Sequence, residues 1–201
     1  FDNGFIQLTG SINFYNTKVS IIKSKFSNSL SEDLINLINS DFTINDIEIY
    51  KAKSDGIDFD FSKGIFDGGI IRNIGGDGLD FSGSNIKLKN INFEIISDKA
   101  ISVGEESNIN IDNIKISDSK IGIASKDSST VIGKNLIVKR CGWYDFASYN
   151  KKSYFKGGYM DLKKINSCNK TIVQNDSIII IDDKKLNTKK ISVDKLYKGM
   201  Y

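Results

Sequence analysis

Apolar residues in this chain follow two periods at once. Over short runs they alternate with polar residues, the period of a half-buried β-strand. Between runs they return every 22 residues, so that positions 35, 57, 79, 101 and 123 read Ile, Ile, Leu, Ile, Ile. Positions 37, 59, 81 and 103 read Leu, Phe, Phe, Val at the same step. Further alternating runs follow within each repeat: Phe42/Ile44 then Ile47/Ile49, Ile86/Leu88 then Ile91/Phe93, Ile109/Ile111 then Ile114/Ile116. Three short strands per repeat, separated by Gly/Asn/Asp/Ser bends, make one coil of a solenoid. No stretch sustains a helical i, i+3, i+4, i+7 pattern, which disfavours a helix-bearing repeat. The pattern predicts an all-β chain: a right-handed parallel β-helix of six to seven coils.

Asp46, Asn90, Asn113 and Asn135 precede the third strand at nearly the same phase, as an amide ladder stitching successive bends would require. The coils run from about residue 5 to about residue 155. The first (residues 4–30) is irregular, and from Asp145 the pattern fades. The division expected is residues 1–165 as β-helix and 166–201 as a C-terminal cap. Within the cap, residues 177–181 and 184–186 read as strands around an Asp182-Asp183 turn, and residues 191–193 as a third. Solenoid ends expose strand edges and need cover. The N-terminal coil shows none, which suggests association there or other domains of a longer chain. The first residue is Phe1 rather than Met, as in an excised fragment or mature product.

Composition supports strands: Pro and His are absent, and β-branched residues alternate with turn formers. A net charge of +3 without a dense Lys/Arg stripe argues against nucleic acid. No run approaches the roughly 20 apolar residues of a membrane span. Cys141 and Cys168 could pair, but the free-thiol reading is preferred, since one potential pair says little about compartment.

Aspartate concentrates between residues 33 and 80. Stacked coils lie about 4.8 Å apart, so one bend column reads Asp33, Asp55, Asp77, Lys99. The adjacent outward column reads Asn36, Asp58, Asp80, Ser102, with Asp60 one outward position further and Lys126 a coil beyond. Asp-Gly bends explain Asp55 and Asp77 individually. They explain Asp58 and Asp80, on strand faces, less well. At an effective dielectric near 20, two such charges repel by roughly 3–4 kcal/mol, so a cation, a shared proton or Lys99 must offset the column. Solvated bends and a functional site both remain open readings.

Ser54-Asp55-Gly56-Ile57-Asp58 resembles the N-T-D-G-I-D motif, and the run from Gly75 through Asp77, Gly78 and Asp80 to Ser84 the G-D-D motif, of the polygalacturonase-type glycoside hydrolases in the pectin-lyase-like superfamily. Asp98-Lys99-Ala100-Ile101-Ser102-Val103-Gly104 falls where they carry G-H-G, and Gly122-Ile123-Ala124-Ser125-Lys126 where they carry R-I-K. The departures are Gly76 for the first aspartate of the second motif, Lys99 for the histidine and Ala124 for the arginine. Together they argue against that activity as such. What the resemblance implies is a chain that binds, cleaves or epimerises an acidic polysaccharide, with Asp55, Asp77, Lys99 and Lys126 as catalytic candidates and Asp58 and Asp80 as substrate-binding ones. Pectate-lyase-like β-helices hold Ca²⁺ through aspartates, and Asp55, Asp58, Asp77 and Asp80 offer such ligands. In a lyase, Lys99 or Lys126 would be the base, provided burial lowered its pKa. A hydrolase would pair two carboxyls.

Trp143, Tyr144, Phe146, Tyr149, Tyr154, Phe155 and Tyr159, interleaved with Lys151, Lys152 and Lys156, form a second group. They either cap the last coil, the preferred reading, or bind sugar, with Trp143 and Tyr149 as the contacts. Two function classes follow: a polysaccharide-directed β-helix, whether lyase, epimerase, glycoside hydrolase or binding module, and a non-catalytic scaffold domain of a larger bacterial surface protein. Both place the chain outside the cell or on its surface.

Overall fold

The computed structural model describes residues 8–198. In chain order, the first strands are β1 (Gly10–Tyr15), β2 (Lys18–Ile22), β3 (Lys25–Ser29), β4 (Asp33–Ile38), β5 (Asp41–Ala52), β6 (Asp55–Asp60), β7 (Lys63–Ile74) and β8 (Leu79–Ser82). The longest two follow, β9 (Asn85–Gly104) and β10 (Asn108–Lys126), then β11 (Thr130–Lys139), β12 (Tyr144–Tyr149) and β13 (Tyr159–Ser167). The chain closes with β14 (Thr171–Val173), β15 (Ile178–Ile181), β16 (Lys184–Lys185) and a short helix, α1 (Val193–Tyr197). Every strand pairing is parallel except the β15–β16 hairpin. The result is a parallel β-solenoid of about eight turns, one or two more than the periodicity predicts.

Three faces run along the axis. The first stacks β1, β4, β6, β8, the ends of β9 and β10, β12 and β14. The second stacks β2, the starts of β5, β7, β9, β10, β11 and β13, then β15. The third begins at β3 and continues through the later parts of the same long strands.

Period-2 alternation turns every second side chain inward, and the 22-residue step stacks equivalent ones. Ile57, Leu79, Ile101 and Ile123 form the expected column and are fully buried. Beside it, Phe59 stacks on Phe81 with ring centroids 5.0 Å apart. The coil at β10 carries one extra residue at the Glu105–Glu106 turn, where both residues adopt positive φ. A register shift between Ser119 and Ile121 removes it again, so the first face keeps its step.

Two side-chain ladders hold the bends. The amide ladder forms in part: Asn113 Nδ2 donates to Asn90 Oδ1 at 2.6 Å, while Asn90 and Asn135 reach Asp67 and Asp112 instead. Asp46, Asn90, Asn113 and Asn135 all take positive φ, a conformation Asn and Asp tolerate well. The second ladder, of serines, is longer. The N–H groups of Ser40, Ser62, Ser84 and Ser107 each donate to the hydroxyl of the next serine, Ser62, Ser84, Ser107 and Ser129, at 2.9–3.1 Å.

Stacking does not stop where the apolar pattern fades. β12 to β15 continue the coils with Phe146, Met160, Leu162 and Ile179 inside, and the 150–158 loop merely breaks the spacing. β13 therefore runs through the expected boundary at residue 165. The turn at Asp182-Asp183 forms as expected. A strand over 191–193 does not: Lys189 makes one bridge to Gln174, and the chain then enters α1. The expected start of coil one, near residue 5, lies outside the described residues. No helix among the described residues is long and apolar enough to cross a membrane. Both cysteines are free, Cys141 buried and Cys168 exposed.

Candidate functional site

The aspartate columns assemble on the first face as expected. Asp33 pairs in register with Asp55, and the outward column runs Asn36, Asp58, Asp80, Ser102, Ala124, Ala147, Ile172. That column changes from acidic to apolar along the axis. The C-terminal segment covers the apolar half, where Ile121, Ala124, Ala147, Tyr149 and Ile172 pack with Ile191 and Leu196.

The bend aspartates have a structural task. Asp55 Oδ1 accepts the Asp77 N–H at 2.8 Å, and Asp77 Oδ1 accepts the Lys99 N–H at 2.9 Å. Each carboxyl thus caps the backbone of the following coil. Their second oxygens remain for other work, and one oxygen each from Asp55, Asp77 and Asp80 lies within 4.8 Å of the others. Asp58 falls outside that trio and accepts from Asn36 at 3.4 Å.

Crowding and burial move these groups. Burial, reinforced by Asp77, pushes Asp55 up to about 7. Burial, with Asp60 and Asp80 beside it, pushes Asp58 up to about 9. Asp33 and Asp60 are also raised, chiefly by burial. Burial raises Asp77 as well, against the pull of the Lys99 ammonium.

Lys99 and Lys126 sit at the junction of the acidic and covered halves, both buried. Lys99 Nζ lies 3.0 Å from Asp77 Oδ1 and 2.6 Å from Asp98 Oδ2. Lys126 folds back over Gly104 to bring Nζ within 3.8 Å of Asp80. Burial alone would lower both lysines, but the carboxylates outweigh it and raise both. The condition for a neutral lysine base is therefore not met.

The structure separates the two aromatic candidates. Tyr149 is fully buried and its hydroxyl is 2.9 Å from that of Tyr197, so its face is closed to a sugar. Trp143 stays half-buried, with Lys120 Nζ 3.9 Å from its ring. Sequence reasoning missed Asp98 and Tyr197. Asp98 falls outside the aspartate columns, and Tyr197 lies in a tail with no repeat to place it.

Ser102 Oγ, one coil from Asp80, is buried and has no hydrogen-bond partner among the described residues. Two oxygens each about 2.4 Å from one Ca²⁺ ion lie at most about 4.8 Å apart, and the three carboxylates meet that limit.

No protein-family model matches the chain, and no curated protein matches it. Among solved structures it is similar to the catalytic domain of a GH87 alpha-1,3-glucanase variant in complex with tetrasaccharides. The TM-score is 0.32 at 11% identity, covering 84% of this chain and 48% of that one. The chain thus spans about half of that domain, and likeness at this level says nothing about what it binds or does. The β-helix stands; kinship with the pectin-lyase-like proteins rests on motif resemblance alone.

Proposed function

We propose that this β-helix is a polysaccharide-directed module whose site is the cluster Asp55, Asp58, Asp77, Asp80, Lys99 and Lys126. Asp55 carries the reading: a carboxyl pushed up to about 7 is half-protonated at neutral pH and can donate a proton to a glycosidic oxygen. Asp80, beside the Lys126 ammonium, supplies the second carboxyl of a hydrolytic pair. Asp58, held neutral up to about 9, offers a hydroxyl to sugar oxygens. Asp77 and Lys99 position the pair. A Ca²⁺ ion on the Asp55–Asp77–Asp80 oxygens would neutralise the column and take an anionic sugar; ion and proton would compete for Asp55. We place such a module outside the cell or at its surface, joined to other domains.

The test is a panel of acidic and neutral polysaccharides. New reducing ends without the absorbance of an unsaturated product, lost in Asp55→Asn, would support the reading. Cleavage that survives Asp55→Asn would overturn it. A second reading, a scaffold without catalysis, is favoured by one observation: Tyr197 stands over Lys99, with its ring 5.7 Å from Nζ, and shields part of the cluster. Folded protein that neither cleaves nor binds any glycan would leave that reading.

A further inference from the structure

A second surface, away from the aspartates, has the chemistry to hold a charged polymer. On the second face, a groove of about 620 Å³ lies across the starts of β9, β10, β11 and β13. Its lining follows two registers: Lys87, Asn110, Ile132, Asp161 and, two residues on, Lys89, Asp112, Lys134, Lys163. Lys164 completes it at the bend. Five lysines therefore face two aspartates within one concavity spanning four coils, about 14 Å of axis. Lys134 and Lys163 have acidic partners, half-buried Asp112 at 3.5 Å and exposed Asp183 at 2.9 Å. Such pairs are worth little in water. Lys87, Lys89 and Lys164 make no ion pair among the described residues.

We propose that this groove binds an anionic polysaccharide lying along the solenoid axis. The excess of positive charge calls for a polyanion, and its extension over successive coils calls for one with repeating charge. Three features select a glycan among polyanions. Among the described residues, no aromatic or arginine lines the groove for bases to stack on. Asn110 and Asp161 stand between the lysines as acceptors for the closely spaced hydroxyl donors of a sugar. Ile132, 42% exposed, presents an apolar patch to the face of a sugar ring. This deepens the polysaccharide reading but uses none of the aspartate cluster, so a chain with no catalytic site could still bind here.

The test is binding of the full chain to a polyuronate and to dextran sulfate. Uncharged dextran, polyglutamate and single-stranded DNA serve as comparisons. Binding to the anionic glycans should weaken steeply as salt rises from about 50 to 200 mM. It should fall roughly tenfold or more in Lys89→Ala/Lys134→Ala, with the circular dichroism spectrum unchanged, and persist in Asp55→Asn. Binding unaffected by the lysine pair, or absent for both anionic glycans, would overturn the proposal. Tighter binding of polyglutamate or DNA than of either glycan would overturn the choice of occupant. Loss in Asp55→Asn but not in the lysine variant would move glycan binding to the aspartate cluster, and the groove proposal would fall while the catalytic reading stood.

Discussion

The carboxyl of Asp55 accepts the backbone N–H of Asp77 at 2.8 Å, one coil away. This contact explains the glycine between them in the stack. A Cβ on Gly76 would collide with Asp55 Oδ1, so the aspartate that the hydrolase motif carries there has no room while Asp55 caps the next coil. The departure from the motif and the capping bond are one structural fact.

Restoring the motif should therefore harm the fold. Gly76→Asp must displace Asp55 and add another carboxyl to a face already crowded, at a cost of about 2–4 kcal/mol. Thermal melting should show Gly76→Ala already destabilised and Gly76→Asp more so. A Gly76→Asp protein melting with the parent would mean the capping bond is dispensable.

Stability should fall as pH rises. Asp55 and Asp58 ordinarily titrate near 3.8 and are raised to about 7 and about 9 in the fold. A raised carboxyl binds its proton more tightly when folded, so its contribution is fully present below about 3.8 and is lost as pH climbs through the folded values. Melting temperature should drop by several degrees between pH 5 and pH 9. Asp58→Asn should flatten that slope. A slope of the opposite sign would show that these carboxyls are ionised and paired in the fold.

Calcium should act on the same groups. If Asp55, Asp77 and Asp80 share an ion, added Ca²⁺ raises the melting temperature at pH 8 and releases protons at pH 6, where Asp55 still holds its proton, because a ligating carboxyl must be ionised. Asp80→Asn should reduce both effects. Ca²⁺ without effect on either readout would assign the trio to shared protons and Lys99 alone.

The fold was legible because burial repeats at 22 residues: Ile57, Leu79, Ile101 and Ile123 are identical in environment and nearly so in identity. The serine ladder was equally written, since Ser40, Ser62 and Ser84 keep the same step. Serine is so common in bends that the repeat looked like composition. The later coils were harder, because the 150–158 loop breaks the spacing and Ser148 faces inward where earlier coils carry Leu37 or Phe59. The aspartate columns followed from register alone, while the direction of the lysine pKa values did not. Lys99 is raised by Asp98 as well as Asp77, and Asp98 stands outside the columns. The basic groove was invisible along the chain, since Lys87, Lys134 and Lys163 are far apart in sequence and meet only across coils.

The C-terminal segment should control access to the buried lysines. Leu196 packs among Ala124, Ala147 and Ile172, and Tyr197 bonds Tyr149 and stands over Lys99. The helix spans five residues and is too short to persist unaided. Its position rests on the apolar contacts and the tyrosine pair, and removing both large side chains should release it. In Leu196→Ala/Tyr197→Ala, amine acylation read by mass spectrometry should rise at Lys99 and Lys126, with Lys87 as an exposed internal standard. The rise should be partial, because Asp77, Asp98 and Asp80 still hold both lysines protonated, and a protonated amine does not acylate. Adding Asp80→Asn should raise labelling at Lys126 further and leave Lys99 nearly unchanged, since Asp80 faces Lys126 at 3.8 Å whereas Lys99 answers to Asp77 and Asp98. Labelling at Lys99 and Lys126 equal to Lys87 in the parent protein would show that the segment does not cover them in solution. The scaffold reading would then lose the observation that favours it.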